Sequence, residues 1–109
     1  MGVAVTKSAL SPARQRLVEM MQDLNFGRIE GLVVRGGEPV FDQPPWVVRE
    51  VKLGGENSPR PEAAKADFVL KAQVRELFAQ MNAMREGIVA TIEVKHGLPF
   101  KMTIEEVPA

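Results

Sequence analysis

Between Ser11 and Leu24 the apolar side chains recur every three or four positions. Ala13, Leu17, Met20, Met21 and Leu24 lie on one side of a helical wheel, and Arg14, Arg16, Glu19 and Asp23 fall elsewhere. Ser11 followed by Pro12 is a helix start: the hydroxyl accepts from an unpaired amide, and proline at the first helical position wastes no donor. Asn25 and Gly27 tolerate left-handed backbone and suit the end, so the pattern predicts a helix over 12–24. From Ile29 the period drops to two, which predicts a strand over 29–35. Leu32 and Val34 share one face of it; Ile29, Val33 and Arg35 share the other. Gly36–Gly37 supplies positive φ twice and predicts a two-residue hairpin turn. The return strand leaves the turn at Val40–Phe41, breaks at 42–45 because Pro44 and Pro45 cannot donate to a ladder, and resumes over 46–53.

Residues 54–61, GGENSPRP, form the one clear linker. A second helix is expected from about 67 to 84, with Leu70, Val74, Leu77, Phe78, Met81 and Met84 as its apolar stripe. A strand over 88–95, a turn at His96–Gly97 and a strand over 99–105 follow. In the last strand Phe100, Met102 and Ile104 alternate with Lys101, Thr103 and Glu105.

The second block repeats the first at a shift of sixty. Leu17 meets Leu77, Met21 meets Met81, Gly27 meets Gly87, Val34 meets Val94, Gly37 meets Gly97 and Pro39 meets Pro99, with no gap between residues 10 and 40. The matches fall on helix stripe, cap, strand and turn positions, which is the mark of a duplicated supersecondary unit. One helix on one hairpin leaves a two-stranded sheet that is marginal in water; two copies can close a two-layer core. The predicted fold is therefore α+β, order αββαββ: a four-stranded antiparallel sheet with both helices on one face. Residues 1–109 form a single domain, with repeat units at about 10–53 and 66–106. The expected core is Leu17, Met21, Leu24, Leu32, Val34, Leu77, Met81, Met84, Ile92, Val94, Phe100 and Ile104. The alternative topology adds a strand at 3–6 and another at 67–70.

Helix, then Phe26-Gly27-x-Ile29, then Val33-Val34-x-Gly36-Gly37-x-x-Val40 resembles the YezD-like family of very small bacterial proteins. The resemblance covers residues 14–53 and, more faintly, 74–105. It breaks at the insertion Asp42–Pro45. It implies a bacterial origin and the pairing of units, and it carries no catalytic residues.

Composition narrows the function. The 109 residues hold 14 Lys plus Arg and 14 Asp plus Glu, a net charge of zero, without the basic excess of a generic polyanion binder. There is no cysteine, which removes thiolate metal sites and cysteine nucleophiles and fits a cytoplasmic setting. No segment has the pattern of a signal peptide or a membrane span. The single histidine, His96, sits in a turn without a carboxylate cluster around it, and no phosphate-binding fingerprint is present. Glu30, Glu38, Asp42 and Glu50 read as solvating carboxylates. No catalytic residue, metal or cofactor is expected, and the chain is not expected to be an enzyme.

Two sets of residues remain as candidates. Trp46, Pro45, Val33 and Val47 are candidate partner-binding positions. Trp46 follows two prolines on an insertion that the second unit lacks; its ring is expected to close the open end of the core, or else to anchor a partner. Ile29, Val33, Val47, Val51, Leu53 and Val89 are expected to contribute an apolar patch on the sheet face away from the helices. The second set, Arg35, Lys95, Arg49 and Lys101, would bind an anion if it formed one patch. The leading expectation is a non-enzymatic binding or adaptor module that uses the exposed sheet face to hold a protein partner or a second copy of itself. A nucleic-acid-binding regulator is the alternative.

Overall fold

The computed structural model describes residues 6–54 and 71–106. A 3-10 turn at Lys7–Ala9 leads into helix α1 (Pro12–Leu24). Strands β1 (Gly27–Arg35), β2 (Glu38–Val40) and β3 (Trp46–Arg49) follow, then helix α2 (Ala72–Met84) and strands β4 (Gly87–Lys95) and β5 (Leu98–Glu105). The fold is α+β; the described residues form two helices and a five-stranded antiparallel sheet ordered β2-β1-β4-β5, in which β3 also pairs with β1. β2 and β3 share one flank of β1 and β5 is the opposite edge.

Five strands replace the expected four because the return strand is cut in two. β2 sets Val33 opposite Val40, a register that would bring position 44 to Ile29; Val47 stands there instead. Three residues are thus looped out around Pro44–Pro45, where the donors are missing. After Arg49 the chain leaves the ladder, so the strand expected over 46–53 stops four residues early. Helix α2 starts at Ala72, with extended Lys71 as its cap, and not at about 67. The alternative strands at 3–6 and 67–70 lie outside the described residues except for Thr6, which makes an isolated bridge. Most of the linker lies outside them as well.

Ser11 caps α1 as expected, its hydroxyl accepting from the Arg14 amide at 3.2 Å. Both helices end alike. Asn25 (φ 64, ψ −58) and Arg85 (φ 62, ψ −59) each sit at the centre of a γ-turn closed by a 2.7 Å hydrogen bond, Phe26 to Leu24 and Glu86 to Met84. This positive-φ γ-turn is rare and strained. It swings the chain from helix into strand over two residues. The outward-turned carbonyls are then used across the molecule: Gly37 donates to Arg85 at 2.9 Å and Gly97 donates to Asn25 at 2.9 Å. The β1–β2 tip is thereby fastened to the end of α2, and the β4–β5 tip to the end of α1. Both tips carry positive φ twice, at Gly36 and Gly37 and at His96 and Gly97.

The core is one cluster between the helices and the sheet: Leu17, Val18, Met21 and Leu24 from α1, Val74, Leu77, Phe78 and Met81 from α2, and Ile29, Leu32, Val34, Val89, Ile92 and Val94 from the central strands. Simple alternation puts Ile29 and Val89 on the far face; both are instead fully buried. Ile29 and Leu32 point inward although three positions apart, as do Val89 and Ile92, so each central strand slips one residue between them. In β1 the slip coincides with Gly31 at φ 73. In β4 Ala90 is the extra residue against β5. Among the expected core residues Met84, Met102 and Ile104 are only half-buried. Phe100 is 51% exposed, because a second bulge sits at its position in β5 and breaks the expected alternation.

Candidate functional site

The register decides which side chains occupy the face away from the helices. Ile29 is buried against the helices, so its cross-strand partner Val47 points the same way, and Trp46 and Val48 point outward beside Glu30 and Arg28. Trp46 is 78% exposed. Its ring does not close the core as the sequence reading favoured, since its position after the looped-out residues sends it to the opposite face. Pro45 is buried and offers no contact surface, while Val47 is half-exposed at the edge on the helix side. Val33 lies on the outer face, between Val40 and Ile88. Val51 and Leu53 are exposed in the segment after β3. The outer face therefore divides. One part carries Trp46, Val48, Val40, Val33 and Ile88 with Arg28 and Glu30 of β1 among them, and the other carries Thr91, Glu93, Lys101, Thr103 and Glu105.

The four candidate anion-binding residues do not come together. Arg35 ends β1 and Lys95 ends the antiparallel β4, which sets them at opposite ends of the sheet, roughly 25–30 Å apart at about 3.3 Å per residue. Lys95 lies over the Phe100 ring, 5.1 Å from its centre. Arg49 donates to the carbonyls of Asp23 at 2.9 Å and Leu24 at 3.0 Å, at the C-terminus of α1. Lys101 stands 3.7 Å from Glu93, and Arg28 is held by Glu30 at 2.7 Å. Carboxylates interleave with the cations along the whole face.

A polar cluster at the Gly36–Gly37 turn was not foreseen. Arg14, largely buried, reaches from α1 to the Gly37 carbonyl at 2.8 Å, to Asn82 of α2 and to Glu38 at 3.2 Å. Ser11 donates to the same Glu38 carboxylate, and the Gly36 amide donates to Glu86 at 3.1 Å. These groups come from three distant segments and fasten the turn, although the buried Arg14 Nε, 3.2 Å from Glu38, makes an ion pair there without an aligned hydrogen bond. At the other tip the slots of Arg14 and Glu38 hold Val74 and Leu98, both packed on the core. His96 there is exposed, its ring edge-on to Phe26 at 4.8 Å.

The last feature is a groove of about 370 Å³ between α2 and the edge strand β5, lined by Leu77, Gln80, Phe100, Met102 and Ile104. At the corresponding place between α1 and β2, Phe41 packs against the core with the Arg16 guanidinium 4.5 Å from its ring centre. Continuing the β1–β2 register sets Phe41 beside Leu32; at the matching place beside Ile92 the Phe100 bulge puts Met102 and turns Lys101 to the outer face, so a slimmer side chain stands where the first groove holds a ring.

Among the described residues no group of three or more His, Asp or Glu side chains is placed to hold a metal ion, and no helix is long and apolar enough to cross a membrane. Glu30 is engaged by Arg28 and Glu38 by Ser11 and Arg14, whereas Asp42 and Glu50 are exposed. The carboxylates thus do not converge as an acid–base pair. No family model, no curated protein and no solved structure gives a match to this chain.

Proposed function

We propose that this chain is a non-enzymatic protein-binding module, built as a doubled helix–hairpin unit, that meets its partner through the Trp46 part of its outer sheet face and also pairs with itself. The observation that carries the reading is Trp46, 78% exposed on a strand of the face that also holds half-buried Val33, Val40 and Val48 and exposed Ile88. A protein rarely leaves tryptophan in water on a regular strand without a use, and tryptophan heads the residues that anchor interfaces.

Three relationships support the doubled unit. Both helices span thirteen residues and start sixty positions apart, at Pro12 and Ala72, and β1 and β4 start at Gly27 and Gly87. The same rare γ-turn ends each helix. The two long-range hydrogen bonds, Gly37 to Arg85 and Gly97 to Asn25, exchange under the same shift. The YezD-like resemblance agrees with a pairing of units. On this reading the two copies differ where new contacts evolved: the insertion that delivers Trp46, and the groove along β5.

A nucleic-acid partner has no support of this kind, because Arg35, Lys95, Arg49 and Lys101 are dispersed and mostly engaged. The test is affinity capture followed by mass spectrometry, with wild-type protein and Trp46→Ala as parallel baits and Arg75→Ala, on exposed α2 surface, as control. A protein retained by wild type and Arg75→Ala and lost with Trp46→Ala is expected. The same set on all three baits would overturn the assignment of the face.

A further inference from the structure

We infer that the seam through which two copies pair is the edge of β5, with the two-fold axis passing at Thr103. This rests on the reading of the chain as a self-associating module and names the surface that does it. Among the described residues no strand lies beyond β5, so none of them pairs with its outer edge, and such an edge is the usual template for strand addition.

The bulge at Phe100 limits the stretch of β5 without an inserted residue to Lys101–Glu105; the extra residue opposite it, Ala90, belongs to β4. The centre of that segment is Thr103. A two-fold axis there pairs it antiparallel with its own copy, and the pairs that result are complementary. Lys101 faces the partner's Glu105 on the outer face, and Met102 faces the partner's Ile104 on the helix side.

The neighbouring registers are worse. Centring on Lys101 sets two lysines opposite each other, and centring on Met102 runs the ladder into the Phe100 bulge. Centring on Ile104 sets Met102 against the partner's Glu106. Like charges or an apolar–charged pair directly opposite are destabilising in a sheet.

The groove supplies the second reason. Met102 and Ile104 line its β5 side and are only half-buried in the single copy. In the pair each copy's Ile104 lies beside the other's Met102, and the open side of both grooves is narrowed by apolar side chains. Lys101 has only a 3.7 Å, solvent-exposed contact with Glu93 to give up. Five residues per strand make a small interface, so the dimer is weak and concentration-dependent.

Sedimentation velocity over a concentration series reads the dimerisation constant. Lys101→Glu and Glu105→Lys each place like charges opposite across both symmetric pairs and are expected to weaken dimerisation roughly tenfold or more. The double swap Lys101→Glu/Glu105→Lys restores complementarity and returns the constant to within about threefold of wild type. The swap does not repair the Lys101–Glu93 contact, so recovery reports the seam. Independently, Thr103→Cys introduces the chain's single thiol at the axis, where directly opposed residues lie at disulfide distance. It is expected to oxidise to a covalent dimer much faster than Ala79→Cys on exposed α2. A strict monomer at every concentration would overturn self-association altogether. A dimer that ignores the charge reversals, or that shows no preferential cross-link at 103, would overturn the seam and leave self-association standing.

Discussion

Arg49 of β3 donates from Nη1 to the carbonyl oxygen of Leu24 at 3.0 Å, and so closes the C-terminus of α1 from the opposite layer. It reaches the Asp23 carbonyl at 2.9 Å as well, and Nη2 approaches the Asp23 carboxylate at 3.3 Å. Cations at a helix C-terminus gain from the unsatisfied carbonyls and the aligned dipoles. Arg49→Gln is expected to cost about 1 kcal/mol in urea denaturation, given that the site is half-exposed. The same variant should leave electrophoretic mobility of labelled DNA unchanged at low salt, as wild type should, because the remaining basic residues are scattered. Retardation of DNA by wild type and its loss on substitution would contradict this assignment.

Arg14 serves two helices and a turn, so its removal is expected to cost more. Arg14→Met leaves the Gly37 carbonyl, Asn82 and part of Glu38 without their donor, a loss of about 2–3 kcal/mol. In a double-mutant cycle with Glu38→Gln the two changes should couple by more than about 0.5 kcal/mol. Strict additivity would show that the ion pair is incidental.

Two glycines in β1 separate close approach from backbone freedom. A Cβ on Gly27, already at φ 148, would collide with the carbonyl oxygen of Val48, which is backbone and cannot step aside. Gly31 has φ 73 and nothing within 4 Å. Gly27→Ala is therefore expected to cost at least about 3 kcal/mol and to detach β3, whereas Gly31→Ala costs about 1 kcal/mol, the strain of positive φ alone. Equal losses in chemical denaturation would refute the distinction.

Arg85 holds a glycine-like backbone at the end of α2 with its side chain exposed. Arg85→Gly relieves the positive-φ strain and keeps the carbonyl that Gly37 uses. It should raise the thermal midpoint by a few degrees, equivalent to about 0.5–1 kcal/mol. A lower midpoint would mean that the arginine side chain holds the turn in some other way.

Trp46 is the only tryptophan, so fluorescence reads its surroundings directly. In dilute protein its emission should resemble that of indole in water and be quenched readily by acrylamide. Trp46→Ala should change stability by less than about 0.5 kcal/mol. A blue-shifted, protected indole would return the ring to the core.

Much of this arrangement was legible in the residues. Ser11–Pro12 marked the start of α1, and the glycine pairs marked the hairpin tips, because each of those positions admits few alternatives. Pro44–Pro45 disclosed that the return strand breaks, though not that three residues would loop out and carry Trp46 to the far face. Strict alternation misplaced Ile29 and Val89, since a one-residue slip at Gly31 and Ala90 is invisible to a period of two. The Arg14 cluster joins segments far apart in the chain and has no local signature. The shift of sixty does carry a trace of it: the positions of Arg14 and Glu38 fall on Val74 and Leu98, two charges against two apolar residues. Phe100 was misread for the same reason as Ile29, because a bulge follows from pairing geometry and not from composition.

The fastening of each hairpin tip to the opposite helix end has a further consequence. Neither half holds the acceptor for its own turn, so each is completed only by the other. Polypeptides 1–54 and 71–109, made separately, should recognise one another and reassemble without a covalent link. Fused to the halves of a split reporter, they would serve as a complementation pair, with Gly37 and Gly97 as its two clasps.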